Sequence, residues 1–143
     1  MEYTQSGEHL TEKDEGERLT AYQDSKGVWT IGVGHTGPEV VEGMTITQEQ
    51  CDAYLAADIQ TAVNAVNAAV SFPLTQDEFN ACVDLTFNIG VHAFTTSTVC
   101  RCINAGDMDG AAKAFFMWDM CGGKYNQGLF NRRTDEVAEF KGN

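Results

Sequence analysis

The chain has 143 residues, 43% of them hydrophobic, with only two prolines, and its 21 acidic and 9 basic residues give a net charge of −12. This length suffices for a core that removes roughly 70% of the unfolded chain's surface from water without help from metal or disulfide, and the composition excludes a disordered chain. Acids number 10 in residues 1–50 and 11 in residues 51–143, so the charge is no acidic tail, and the lack of a basic footprint argues against nucleic acid as a partner.

The opening MEYTQSGEHLTEKDE is polar, with no apolar stretch of a secretory signal, and no later run approaches 18 apolar residues. The expectation is a soluble product without membrane insertion, and nothing in the pattern demands more than a monomer. Five cysteines stand at 51, 82, 100, 102 and 121. Their odd number leaves at least one unpaired, and no CxxC or histidine-bearing spacing points to zinc or another metal. Cys51, Cys82 and Cys100 fall on apolar helical positions, where a free thiol acts as a small hydrophobe.

In chain order, residues 5–14 read as a short amphipathic helix ending before Gly16. Residues 18–36 change character: Tyr22, Val28, Trp29, Thr30, Ile31 and Val33 favour strands around the turn signal Asp24-Ser25-Lys26-Gly27, which predicts a β-hairpin with a glycine-rich exit. A loop follows over 37–43. Thr47-Gln48-Glu49-Gln50 fits a capping box, and Cys51, Tyr54, Leu55, Ile59, Ala62, Val63, Val66 and Val70 recur at spacings of three and four, predicting one long helix to about residue 70. Thr75-Gln76-Asp77-Glu78 is a second capping box, opening a helix to about Asn88 that Gly90 stops. Helices at about 96–104, 108–120 and 128–140 complete the chain. The fold class is α+β.

The stretch from Glu15 to His35 carries the candidate chemistry. Glu15 stands where the first helix is expected to end, Asp24 in the hairpin turn, and Thr30 on the returning strand. Glycosidic cleavage needs a protonated carboxyl group on one side of the bond and an ionised one on the other, and a hydroxyl can hold the attacking water. Spacing alone is a weak signal in so acidic a chain.

The residues add a resemblance. The run Glu15-Gly16-Glu17-Arg18-Leu19-Thr20-Ala21-Tyr22-Gln23-Asp24, continued by Trp29-Thr30-Ile31-Gly32-Val33-Gly34-His35-Thr36-Gly37, closely resembles the active-site signature of phage lysozymes, glycoside hydrolase family 24. Further segments in order, among them Phe87-Asn88-Ile89-Gly90, Asn104-Ala105-Gly106-Asp107 and Gly122-Gly123-Lys124, are similar to the family too. The resemblance implies a lysozyme-like fold in a single domain, with a small N-terminal lobe (1–46) bearing the hairpin, a connecting helix (47–70) and a C-terminal helical lobe (71–143). It implies an endolysin that hydrolyses the β-1,4 bonds of peptidoglycan glycan strands. Glu15 would be the general acid, Asp24 the base or electrostatic stabiliser, and Thr30 the holder of water. No cofactor is implied.

The family pattern also suggests that His35 pairs with Asp58 as a structural ion pair, which would raise the histidine's pKa. Arg132 lies where the family places an arginine near the catalytic glutamate; an exposed helix charge is the competing reading. Thr96, Ser97, Lys124, Tyr125 and Asn126 are expected to rim the substrate cleft. Trp29 is read as core in preference to a sugar-stacking ring, and Trp118 with Phe115 and Phe116 as helix packing.

Glu8, Thr11 and Glu17 depart from the family, standing where many relatives have apolar residues. The acidic charge departs too, because peptidoglycan is itself anionic. A non-catalytic wall-binding module and a lytic transglycosylase are the competing functions. The intact Glu15, Asp24 and Thr30 argue against the first, and the water-holding hydroxyl against the second. A product without a signal or anchor would stay in the host cytoplasm until a holin opened the membrane to the periplasm.

Overall fold

The computed structural model describes residues 1–4, 7, 11 and 16–142. The expected helix over 5–14 and the catalytic candidate Glu15 therefore lie outside the described residues, apart from Gly7 and Thr11, which are helical.

The hairpin forms from β1 (Arg18–Gln23) and β2 (Trp29–Gly32), antiparallel, with Tyr22 opposite Thr30 and Gln23 opposite Trp29. A bulge lies on β1 between Arg18 and Tyr22. The loop at 44–46 adds to the outer edge of β1: Ala21 N–H donates to the Met44 carbonyl and Ile46 N–H to the Leu19 carbonyl, each at 2.9 Å. This lobe closes over a small core of Ile31, Val33, Val40, Ile46 and Cys51, against which Trp29, Met44, Tyr54 and Leu55 pack.

Helix α1 (Gln48–Ala69) opens on the expected capping box, with Thr47 accepting from Gln50 N–H while the Gln50 side chain takes the Thr47 N–H. Its 22 residues span about 33 Å, enough to reach between two cores. Near its start Cys51, Tyr54 and Leu55 join the hairpin core; near its end Ala62, Val63 and Val66 enter the larger one. That larger core is built on α2 (Gln76–Ile89), capped by Thr75 and Glu78 as expected. Gly90, at φ 96°, ends α2.

Beyond Gly90 the elements are finer than the sequence predicts. A short α3 (Val91–Thr95) follows at once, then α4 (Thr98–Asn104) with Ser97 as its N-cap, and α5 (Met108–Ala114) with Asp107 as its cap. The single helix expected over 108–120 is not continuous. It tightens into a 3-10 turn at Phe115–Trp118 and gives way to a hairpin of β3 (Met120–Cys121) and β4 (Lys124–Tyr125). The two-residue loop Gly122-Gly123 has φ of 58° and 80°, the double positive φ that a tight hairpin turn demands and glycine supplies freely. Helix α6 (Gln127–Phe140), capped by Asn126, packs along α2. Among the described residues no helix is long and apolar enough to cross a membrane. All five cysteines are free, with Cys51, Cys82 and Cys100 buried.

Candidate active site

The Asp24 turn is built by local hydrogen bonding. Asp24 N–H donates to the Val28 carbonyl and Gly27 N–H to the Asp24 carbonyl, both at 2.9 Å, with Gly27 at φ 79°. This is a type I turn closed by a left-handed residue, a common hairpin connection. The Asp24 side chain completes it: Oδ1 accepts from Lys26 N–H at 2.8 Å and from Val28 N–H at 2.9 Å. Such a self-bonded aspartate fixes both the turn and the direction of its own carboxylate. Thr30, only 4% exposed, donates its hydroxyl proton to the Val28 carbonyl at 2.9 Å, leaving its oxygen as an acceptor.

The carboxylate of Asp24 lines a cleft of about 460 Å³ between the hairpin turn and the C-terminal lobe. Lys26 shares its side of the cleft; Asn88 and Ile89 come from the end of α2, Trp118 from the 3-10 turn, Cys121 from β3, Asn126 from the cap of α6 and Arg132 from α6 itself. Ser25 Oγ and Cys121 Sγ meet across it at 3.4 Å.

Arg132 is buried at 5% exposure, so the reading as an exposed helix charge is overturned. Its Nε donates to Asp84 Oδ2 at 3.1 Å and its Nη2 to Asp84 Oδ1 at 2.9 Å. Burial works against an ionised Asp84, but the Arg132 guanidinium and the hydrogen bonds around the carboxyl outweigh it and hold it at about 2. Next to this pair, Arg133 Nη2 donates to Glu136 Oε2 at 2.9 Å and Arg133 Nη1 to the Trp118 carbonyl at 3.2 Å. Arg133 Nε and Glu136 Oε1 are 2.7 Å apart, without hydrogen-bond alignment. Burial, and then the Asp84 carboxylate, push the Glu136 carboxyl upward against the pull of the two arginines.

His35 sits in a turn whose ends bond each other: Ile31 N–H donates to the His35 carbonyl and His35 N–H to the Ile31 carbonyl, both at 2.9 Å. Gly32 makes this possible, at φ +66° with Cys51 Sγ only 3.3 Å from where a Cβ would stand. His35 Nδ1 lies 2.7 Å from Asp58 and Nε2 lies 2.6 Å from Glu39, and the ring stacks on Tyr54 at 4.0 Å. Burial works to lower the imidazole's pKa, but the hydrogen bonds to Asp58 and Glu39 prevail and it is raised. The pairing with Asp58 is as expected; Glu39 is an addition that an exposed loop position gave no reason to single out.

Among the described residues, Glu17, Cys51 and Asp52 bring ligand-type atoms within 4.8 Å of one another. These groups satisfy each other: Cys51 Sγ donates to Glu17 at 3.3 Å, and Gln48 donates to both carboxylates. Burial, and then Glu17, push the Cys51 thiol up to about 11, which disfavours the thiolate a metal would need.

Residues 12–136 match the phage lysozyme family. Over 144 aligned residues the chain is 42% identical to the endolysin of Salmonella phage P22, covering 98% of each chain.

The chain belongs to the phage lysozyme family.

Solved structures agree. The muramidase domain of SpmX from Asticaccaulis excentricus superposes with a TM-score of 0.86 at 38% identity, covering 97% of each chain. A crystal structure of a P22 lysozyme mutant superposes at 0.81 and 41%, covering 99% of each. The α+β, lysozyme-like architecture read from the sequence is the fold of these relatives.

The rim residues are placed unevenly. Asn126 lines the cleft, its Oδ1 also capping α6 through Leu129 N–H. Tyr125 is exposed beside it on β4, its hydroxyl bonded to Gln127, and Lys124 is exposed on the same strand. Ser97 is buried, and its hydroxyl is spent within its own helix turn, donating to the Phe94 carbonyl and accepting from Cys100 N–H. Thr96 bonds the His92 carbonyl. Neither lines the cleft around Asp24. Trp29 packs on the hairpin core, as expected. Sequence reasoning missed Asn88, Ile89, Met120 and Cys121, and read Trp118 as packing alone. Asn88 and Ile89 lay within the segment Phe87-Asn88-Ile89-Gly90 that carried the resemblance; Met120 and Cys121 gave no local signal.

Proposed function

We propose that the chain hydrolyses the β-1,4 bond between N-acetylmuramic acid and N-acetylglucosamine in bacterial peptidoglycan, with Glu15 as general acid. The observation that carries this reading is the Asp24 carboxylate, oriented by two backbone N–H groups on the wall of an open cleft, in a chain of the phage lysozyme family. Asp24 acts as the second carboxylate, as base or electrostatic stabiliser of the charge that develops on the sugar. Thr30 accepts a hydrogen bond from the attacking water, its own proton being committed to the Val28 carbonyl. Arg132 and Lys26 give the cleft two cations for carbonyl or carboxylate groups of the glycan. The protein acts as a monomeric endolysin on the cell wall after release from the host cytoplasm.

The test is release of new reducing ends from purified peptidoglycan, beside a Glu15→Gln variant of the same shape that lacks the acidic proton. Activity in the wild type and its loss in a folded variant support the reading; equal activity in both refutes the role of Glu15. Mass spectrometry of the products separates hydrolysis from transglycosylation, because an anhydro end is lighter by one water.

A further inference from the structure

The α6 wall of the cleft is held from behind by a carboxylate that solvent does not reach. Asp84, fully buried on α2, takes Arg132 in a two-point grip through Nε and Nη2, which fixes the planar guanidinium in direction as well as position. The same Asp84 Oδ1 accepts from the Thr11 hydroxyl at 2.6 Å. Thr11 is also fully buried, with its Oγ1 2.6 Å from the Tyr3 hydroxyl. One carboxylate thus gathers a cation of the cleft wall and the residue four positions before Glu15 in the sequence. Among the described residues, the other charged or titratable groups facing it are Glu136 and Arg133 from α6 and Tyr3 from the N-terminal segment.

Stability is a poor reason for such a cluster. Apolar residues of similar volume in place of a buried ion pair are commonly neutral or stabilising. What an apolar side chain cannot do is hold a guanidinium in one orientation. We propose that Asp84, braced by the Thr11 hydroxyl, is a positioning residue for glycan cleavage, holding Arg132 in one orientation in the cleft wall. This rests on the glycosidase reading above.

Thr11→Val, close in shape, removes the hydroxyl alone, and Thr11→Ser keeps it. Both are compared with wild type on a soluble glycan oligomer of peptidoglycan, with kcat and KM expressed per mole of folded protein. Thr11→Val lowers kcat roughly tenfold and leaves KM within about twofold, since a loosened grip on Arg132 misaligns a group of the cleft wall, and misalignment is felt at the transition state more than in sugar binding. Thr11→Ser restores kcat. Asp84→Asn keeps the shape of the side chain but not the charge that grips Arg132, and it too lowers kcat more than it changes KM.

A Thr11→Val enzyme that keeps wild-type kcat and loses only thermal stability overturns the proposal, as does a folded Asp84→Asn variant with wild-type kcat. A wild type that releases no reducing ends refutes the glycosidase reading and this inference with it; an active wild type with an indifferent Thr11→Val refutes this inference alone.

Discussion

Asp84→Asn also probes how the buried charges support the fold. In the folded chain burial opposes ionisation of Asp84, but Arg132, a hydrogen bond with Glu136 and another from Thr11 bring its pKa from the ordinary 3.8 of an aspartate down to about 2. That difference corresponds to about 2 kcal/mol of stability. The folded value is depressed, so the contribution is complete above the unfolded value near 4 and disappears as pH falls through about 2. With an unfolding entropy of about 0.3 kcal/mol/K for a chain of this size, the charge contributes about 7 °C to Tm. The variant also loses the two-point grip on Arg132, so the total loss near neutrality is larger, of the order of 3–5 kcal/mol for a broken buried pair. Circular dichroism melts of wild type and variant, taken from neutral pH to about pH 2, read both quantities. The gap between them is expected to narrow by about 7 °C over the acid range. A gap that stays constant down to pH 2, or a variant as stable as wild type, refutes the reasoning.

The remaining predictions use other parts of the molecule. The raised pKa of His35 gives stability that is present below the unfolded value near 6.5 and lost as pH rises through the folded one; Asp58→Asn lowers the His35 pKa in an NMR titration, and an unchanged value would dissolve the assigned pair. Thr75→Ala removes the cap of α2 and costs about 1 kcal/mol, read as a lower urea midpoint with unchanged m-value, while Thr75→Ser costs little. A net charge of −12 meeting an anionic wall predicts lytic activity that rises with added salt as the Debye length shrinks from about 10 Å at 0.1 M to about 3 Å at 1 M; a monotonic fall from low salt upward counts against this.

Much of the fold could be read along the chain because its signals are short-range. The capping boxes at Thr47 and Thr75 each bring together residues three positions apart, and both formed. The turn at Asp24–Gly27 is likewise contained in five residues. The same local chemistry was misjudged once: the helix expected over 108–120 stops at Ala114 and tightens into a 3-10 turn, and the positive φ angles of Gly122-Gly123 turn a short hairpin after it. The catalytic candidates Glu15, Asp24 and Thr30 came from a signature confined to residues 15–37, and the pairing of His35 with Asp58 came from the resemblance that signature carried.

What the sequence by itself determined, then, was the α+β class, the long helix between two cores, the Asp24 turn and the family. The wall of the cleft was decided only in three dimensions. Thr11, Asp84 and Arg132 stand 73 and 48 positions apart, and nothing local distinguishes them from solvated polar residues in an acidic chain. Packing α6 along α2 removed water from those groups together. A buried charge must find its partner among whatever elements meet it there. Hydrogen bonds between near neighbours are written in sequence order, whereas the pairing of buried charges depends on which helices share a face.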